Sequence, residues 1–157
     1  MLFGAELNAD QWGQVIDVVR ANNLIPFLDM AYQGFGDGIA EDGAVVRRFT
    51  QTAGPLLVSN SFSKSFSLYG ERIGALSVLA DSSDEAGRVL SQLKRMVRTN
   101  YSNPPTHGGK IVAMVLNTPE LRALWDDELK QMRERIRTMR RQLAEKIQAR
   151  IPSADVA

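Results

Sequence analysis

Lys64 ends the run Ser59-Asn60-Ser61-Phe62-Ser63-Lys64, and Arg72 follows eight residues later in Leu68-Tyr69-Gly70-Glu71-Arg72-Ile73-Gly74. A primary amine can condense with an aldehyde, hydroxyls can hydrogen-bond a phosphate, and a guanidinium can take two phosphate oxygens at once. An aldehyde and a phosphate on one small molecule describe pyridoxal 5'-phosphate, which a lysine holds as a Schiff base. Alone the pattern is weak, because a lysine in a serine-rich loop is ordinarily a solvated surface residue.

Upstream, Leu24-Ile25-Pro26-Phe27-Leu28-Asp29-Met30-Ala31-Tyr32-Gln33-Gly34 carries an apolar run into an aspartate and then a tyrosine. A strand that delivers a carboxylate and a phenol to its C-terminal end delivers them where open α/β sheets bind ligands. With these residues placed, the chain closely resembles the aspartate and aromatic amino acid aminotransferases, class I pyridoxal-phosphate enzymes. The resemblance runs from Leu7-Asn8-Ala9-Asp10-Gln11-Trp12 to the long helix at the end of the chain.

The resemblance implies a role for each candidate. Lys64 would form the Schiff base with pyridoxal 5'-phosphate and then move the proton between the substrate's α-carbon and the cofactor. That work near neutral pH needs positive charge and desolvation around the amine. Asp29 would pair with the pyridine nitrogen and keep the ring an electron sink; otherwise it is a strand-end aspartate capping a turn. Tyr32 would hydrogen-bond the ring oxygen, or be an ordinary buried tyrosine. Ser61 and Arg72 would hold the phosphate. For Ser63 a phosphate contact and a plain loop hydrogen bond stay equally open.

Arg98, in Val97-Arg98-Thr99-Asn100-Tyr101-Ser102-Asn103-Pro104-Pro105, matches the arginine that reaches into a neighbouring subunit's site and binds the side-chain carboxylate of a dicarboxylic substrate. That implies a homodimer; the plainer reading is a helix-end arginine answering the dipole. Asn100-Tyr101 resembles the aromatic branch more than the aspartate branch. The expected reaction is amino-group exchange between an aromatic or dicarboxylic amino acid and a 2-oxo acid.

These side chains need elements to position them. Asn8 and Gln11 form a capping box, and Trp12, Val15, Ile16 and Val19 repeat at helical spacing until Asn22-Asn23, which predicts a helix over 9–21. Leu24 to Met30 reads as a buried strand, and Gly34, Gly36 and Gly38 as loop. A helix over about 41–53 turns Val45, Val46 and Phe49 inward. Leu56-Leu57-Val58 reads as a strand leading to the lysine loop, and Ile73 to Leu79 as a third. Short links between these elements predict an α/β fold, a sheet layered with helices on both faces, as in the α/β/α large domain of a pyridoxal-phosphate transferase.

Ser82 and Glu85 form a second capping box ahead of the stripe Val89, Leu90, Leu93, Met96 and Val97, which Tyr101 to Pro105 interrupts. Thr118-Pro119 starts a helix whose stripe Trp125, Leu129, Met132, Ile136, Met139, Leu143 and Ile147 runs as far as Pro152. That is roughly 30 residues, or about 45 Å. The expected division is a partial cofactor-binding large domain over 1–117, a connecting helix over 118–151 leading to an absent small domain, and a tail over 152–157.

Composition adds exclusions. With 157 residues, 44% of them hydrophobic, and a net charge of +1, nothing biases the chain towards nucleic acid or membrane. Zero cysteines and one histidine, His107, leave no thiolate site and no histidine pair for a metal. No apolar run of about 18 residues and no leader is visible, which makes the cytoplasm the expected location. Arg133, Arg135, Arg137, Arg140, Arg141, Lys146 and Arg150 read as a solvated helix face rather than a nucleic-acid surface.

The chain also departs from the family. Alignment on Gly4 puts Met1 where the family has the asparagine of an Asn-Pro-x-Gly segment, with Leu2 and Phe3 in place of the rest. The Gly-rich phosphate turn, the aromatic residue that stacks on the ring and the arginine for the substrate's α-carboxylate are not found. The chain therefore reads as a fragment, expected to lack useful activity alone and to expose sheet edges. The alternative is a non-catalytic structural or oligomerisation module with an idle lysine.

Overall fold

The computed structural model describes residues 7–52 and 54–154; Met1 to Gly4, on which the departure at the start of the chain was read, lie outside them. Helix α1 (Ala9–Ala21) begins as its capping box requires. Asn8 Oδ1 accepts from the Gln11 amide and Gln11 Oε1 from the Asn8 amide, both at 2.9 Å. It ends at Asn22 and at Asn23, whose φ of 50° is left-handed.

Strand β1 (Phe27–Met30) is shorter than the apolar run from Leu24. Pro26 has no N–H for a ladder, and its carbonyl accepts from the Leu57 amide at 3.0 Å just outside the paired stretch. The helix expected over 41–53 is two, α2 (Ile39–Asp42) and α3 (Ala44–Thr50), parted at Gly43; Ala53 is outside the described residues. Strand β2 (Leu56–Ser61) runs three residues beyond Val58, so Ser59, Asn60 and Ser61 are strand, not loop. A 3-10 turn (Tyr69–Glu71) precedes β3 (Gly74–Leu79).

The sheet order is β1-β2-β3. The first pair is parallel, with Asp29 opposite Ser59, and the second antiparallel, with Ser61 opposite Gly74. Ile16, Phe49, Leu56 and Val58 form the buried core, ringed by Trp12, Val15, Val19, Leu28, Met30, Val45 and Val46. Side chains alternate across a strand, so once Leu56 and Val58 face α1 and α3, Leu57, Ser59 and Ser61 turn to the other face. Phe27 and Asp29 of β1 do likewise, because Leu28 and Met30 pack on the core. Helices α1 and α3 cover one face, while β3 stays largely exposed.

Helix α4 (Ser83–Asn100) has the expected amphipathic stripe yet buries no residue. Its capping box is half made: Ser82 Oγ accepts from the Glu85 amide at 3.2 Å, but the Glu85 carboxylate accepts from the Asp81 amide instead. Helix α5 (His107–Asn117) has no counterpart in the sequence reading. Its Gly108 packs so closely on Glu71 and Ile73 that an added Cβ would stand 2.9 Å from Glu71 Cβ.

The long helix is α6 (Pro119–Arg150), 32 residues with Pro119 in its first turn. It packs along α5. Little of it is covered: Leu129 and Arg133 are buried, whereas Leu121 and Leu124 before them and Ile136, Met139 and Leu143 after them are exposed. No helix among the described residues is long and apolar enough to cross a membrane.

Leu129 is 0% exposed. Leu129→Ala is expected to cost about 2–5 kcal/mol in urea unfolding, and Asn8→Ala, which removes one cap, about 1 kcal/mol.

Candidate functional site

Parallel pairing sets the C-terminal ends of β1 and β2 side by side, with Asp29 and Ser59 as partners on the face away from the core. Ser59 Oγ donates to Asp29 Oδ1 at 2.7 Å, which orients the carboxylate. Two residues on, along the same face of β2, Ser61 Oγ accepts from the Ser63 amide at 3.3 Å and keeps its hydroxyl hydrogen for another acceptor. Ser63 is buried.

The antiparallel return brings Arg72 beside these hydroxyls. The Phe62 amide donates to the Ile73 carbonyl at 3.1 Å, extending the pairing of Ser61 with Gly74. Gly74 permits that approach, since a Cβ there would lie 2.8 Å from the Asn60 carbonyl oxygen. Arg72 ends the 3-10 turn in a left-handed conformation, φ 51° and ψ 50°. That conformation costs a side-chain-bearing residue about 1–2 kcal/mol. One guanidinium N–H donates to the Tyr69 carbonyl at 3.0 Å, one of the five donors the group carries. Asp29, Ser59, Ser61, Ser63 and Arg72 all line one open recess of about 220 Å³.

Lys64 lies in the turn after β2, half-buried between the buried Ser63 and Ser65. Its Nζ stands 5.0 Å from the centre of the Tyr32 ring, a cation–π contact of about 0.5–1 kcal/mol at an exposed site. The lysine turn is closed by Phe66 N–H to the Phe62 carbonyl (3.2 Å) and Ser67 N–H to the Lys64 carbonyl (3.1 Å). Trp125 on α6 donates from Nε1 to the Ser65 carbonyl at 2.6 Å and stacks on Phe66 with ring centres 4.6 Å apart.

Tyr32 starts a glycine loop bound from two directions. The Asp42 carboxylate accepts from the amides of Gly34 (2.7 Å), Gly36 (3.0 Å) and Asp37 (2.8 Å). From α6, Arg133 donates to the Gly34 carbonyl at 2.7 Å, and Arg137 to the Gly36 carbonyl at 2.8 Å while pairing with Asp37. Asn60 donates to Gln33 at 3.2 Å, tying the loop's start to β2.

Of the residues singled out in the sequence, Asp29, Ser61, Ser63 and Arg72 thus share the recess. Lys64 and Tyr32 meet each other, and Asp29 lines both the recess and the wider groove that Tyr32 lines. Arg98 stands apart: it is exposed on the last turn of α4, bonds Ser102, and lines neither cavity. Ser59 was missed, although a hydroxyl set to pair beside a strand-end aspartate was its signal. Arg133 corrects an expectation: read as part of a solvated face, it is 9% exposed and holds Gly34. Its spacing of four from the stripe residue Leu129 was the available clue.

Comparison with known proteins follows this geometry. The profile of the family described as aminotransferase class I and II matches residues 3–156. An aspartate aminotransferase of Pseudomonas aeruginosa is 61% identical over 93% of this chain and 37% of its own length. The aromatic-amino-acid aminotransferase of Escherichia coli is 52% identical over 95% of this chain and 38% of its own. A crystal structure of the Burkholderia pseudomallei aromatic-amino-acid aminotransferase, covalently bound to pyridoxal phosphate, superposes with a TM-score of 0.94 at 61% identity, over 97% of this chain and 38% of that one. The chain therefore spans a little over a third of the length of the relatives it matches.

Proposed function

Because this chain belongs to the class I and II aminotransferases, we propose that it builds the lysine-bearing side of a pyridoxal 5'-phosphate site. The site would serve amino-group exchange between an aromatic or dicarboxylic amino acid and a 2-oxo acid, in a protein of the relatives' length. The observation that carries this reading is the shared recess: serine hydroxyls and a guanidinium suited to a phosphate, and a carboxylate suited to a protonated pyridine nitrogen; Lys64, whose amine lies over Tyr32, follows three residues after Ser61 in the turn that leaves β2. That donor set fits the group.

When bound, pyridoxal phosphate supplies an aldehyde that condenses with amines and a ring that accepts electrons from the carbon beside the amino group. The chain's own residues do the rest. Lys64 Nζ would hold the group covalently and, once the substrate's amine has displaced it and left it a free amine, would take a proton from the carbon bearing the amino group and return it on the way to product. Asp29, oriented by Ser59, would set its negative charge against a positive ring nitrogen. Ser61, Ser63 and Arg72 would hold the phosphate and so limit where the rest of the group can lie. Tyr32 offers its phenol to the ring oxygen.

Arg98, exposed and away from the recess, fits a role in a neighbouring subunit's site, where it would receive a dicarboxylic substrate's second carboxylate in a cytoplasmic homodimer. The relatives' names include both aspartate and aromatic aminotransferases, which supports both substrate classes. The exposed second half of α6 suits a lead into a second, smaller domain.

Incubation with pyridoxal phosphate, borohydride reduction and peptide mapping test the reading. Label should concentrate on Lys64 and vanish from that peptide, without redistributing, in Lys64→Ala; label scattered over many lysines and unchanged in the variant overturns it. Arg72→Gly should relax the left-handed backbone, leaving urea stability unchanged or raised by up to about 1 kcal/mol. The same change should cut the preference for pyridoxal phosphate over pyridoxal by about tenfold or more, read by absorbance titration.

A further inference from the structure

Four residues at intervals of four on α6, Trp125, Leu129, Arg133 and Arg137, reach the two loops carrying Lys64 and Tyr32. Trp125 bonds the carbonyl of Ser65, next to Lys64, and stacks on Phe66. Arg133 bonds the carbonyl of Gly34, two residues after Tyr32. Between them, fully buried Leu129 packs where a Cβ on Gly34 would collide with its Cδ2. Eight residues separate Trp125 from Arg133, about 12 Å along one continuous helix, and Arg137 bonds the Gly36 carbonyl one turn further on. The Lys64–Tyr32 contact is closed between these two loops, which the β1–β2 pairing and the Asn60–Gln33 bond join at their base and α6 holds further out.

Arg133 is costly where it stands. It is 9% exposed, and its Nε is buried without a hydrogen-bond partner. An apolar side chain of similar volume would fill the same space without that penalty. What such a side chain could not do is hold the Gly34 carbonyl, on a loop whose amides already point at Asp42.

We propose that Trp125 and Arg133 are positioning residues that set the Lys64–Tyr32 contact, with α6 acting as one brace across both loops. The proposal builds on the reading of Lys64 as the cofactor-bearing amine, but its test does not require the cofactor. Competitive acetylation of the cofactor-free chain with trace acetic anhydride measures the reactivity of Lys64 against the other lysines. Arg133→Met should raise the relative reactivity of Lys64 about threefold or more, although the hydrogen bond it removes is to Gly34 and not to the lysine turn. Hydrogen exchange of the 33–38 amides should quicken about tenfold or more, with peptides from α1 unchanged. Arg133→Lys, which keeps a donor for Gly34, should restore part of both effects. Trp125→Phe keeps the ring on Phe66 and removes the bond to Ser65; it should raise Lys64 reactivity too, and it carries the test if Arg133→Met does not fold. Lys64 reactivity equal to that of the unsubstituted chain in a folded Arg133→Met or in Trp125→Phe overturns the proposal. Failure of pyridoxal phosphate to label Lys64 in the unsubstituted chain overturns the cofactor reading instead and leaves the acetylation result to stand by itself.

Discussion

The parallel pairing of β1 with β2 is the constraint on which the rest of the site depends. It sets Asp29 level with Ser59, and the core decides which way both turn. Leu56 and Val58 must face Ile16 and Phe49, so every second position on β2 is sent the opposite way. A slip of one residue would bury Ser59 and Ser61 and expose two core residues, which makes the register expensive to lose. The chemistry-bearing face is thus enforced by apolar packing on its reverse.

The antiparallel strand β3 completes the arrangement. A parallel neighbour would need a long crossover, whereas an antiparallel one can follow a compact turn, and that turn carries Lys64 at one end and Arg72 at the other. Amine and guanidinium therefore sit on a short excursion anchored at both feet by strand pairing, with Ser61 opposite Gly74 and Phe62 bonded to Ile73.

What was legible beforehand followed how local each determinant is. The start of α1 was readable because Asn8 and Gln11 satisfy each other within one turn, and α6 because proline at its start and a long periodic stripe act locally. The end of β1 was readable, but its beginning was not, since Pro26 withholds a donor that only the partner strand reveals. Helix α5 escaped notice because Gly108 and Gly109 weaken its propensity; Gly108 answers to a neighbour distant in sequence. The candidate site was legible as residue types, while the bonds that orient them, Ser59 to Asp29 and Arg133 to Gly34, cross 30 and 99 positions. Charge alone placed Arg133 with the solvated arginines, because an arginine's burial depends on what its helix is laid against.

Arg72 joins two demands that no other side chain meets together. Its backbone occupies a region suited to glycine or asparagine, while the phosphate contact proposed for it on the recess calls for a planar, permanently charged fork. A residue that eases the first forfeits the second, and lysine keeps the charge but not the fork. With the proposed phosphate contact, the position is therefore a narrow neck in the sequences this fold can explore: the residues that ease its backbone do not carry the fork.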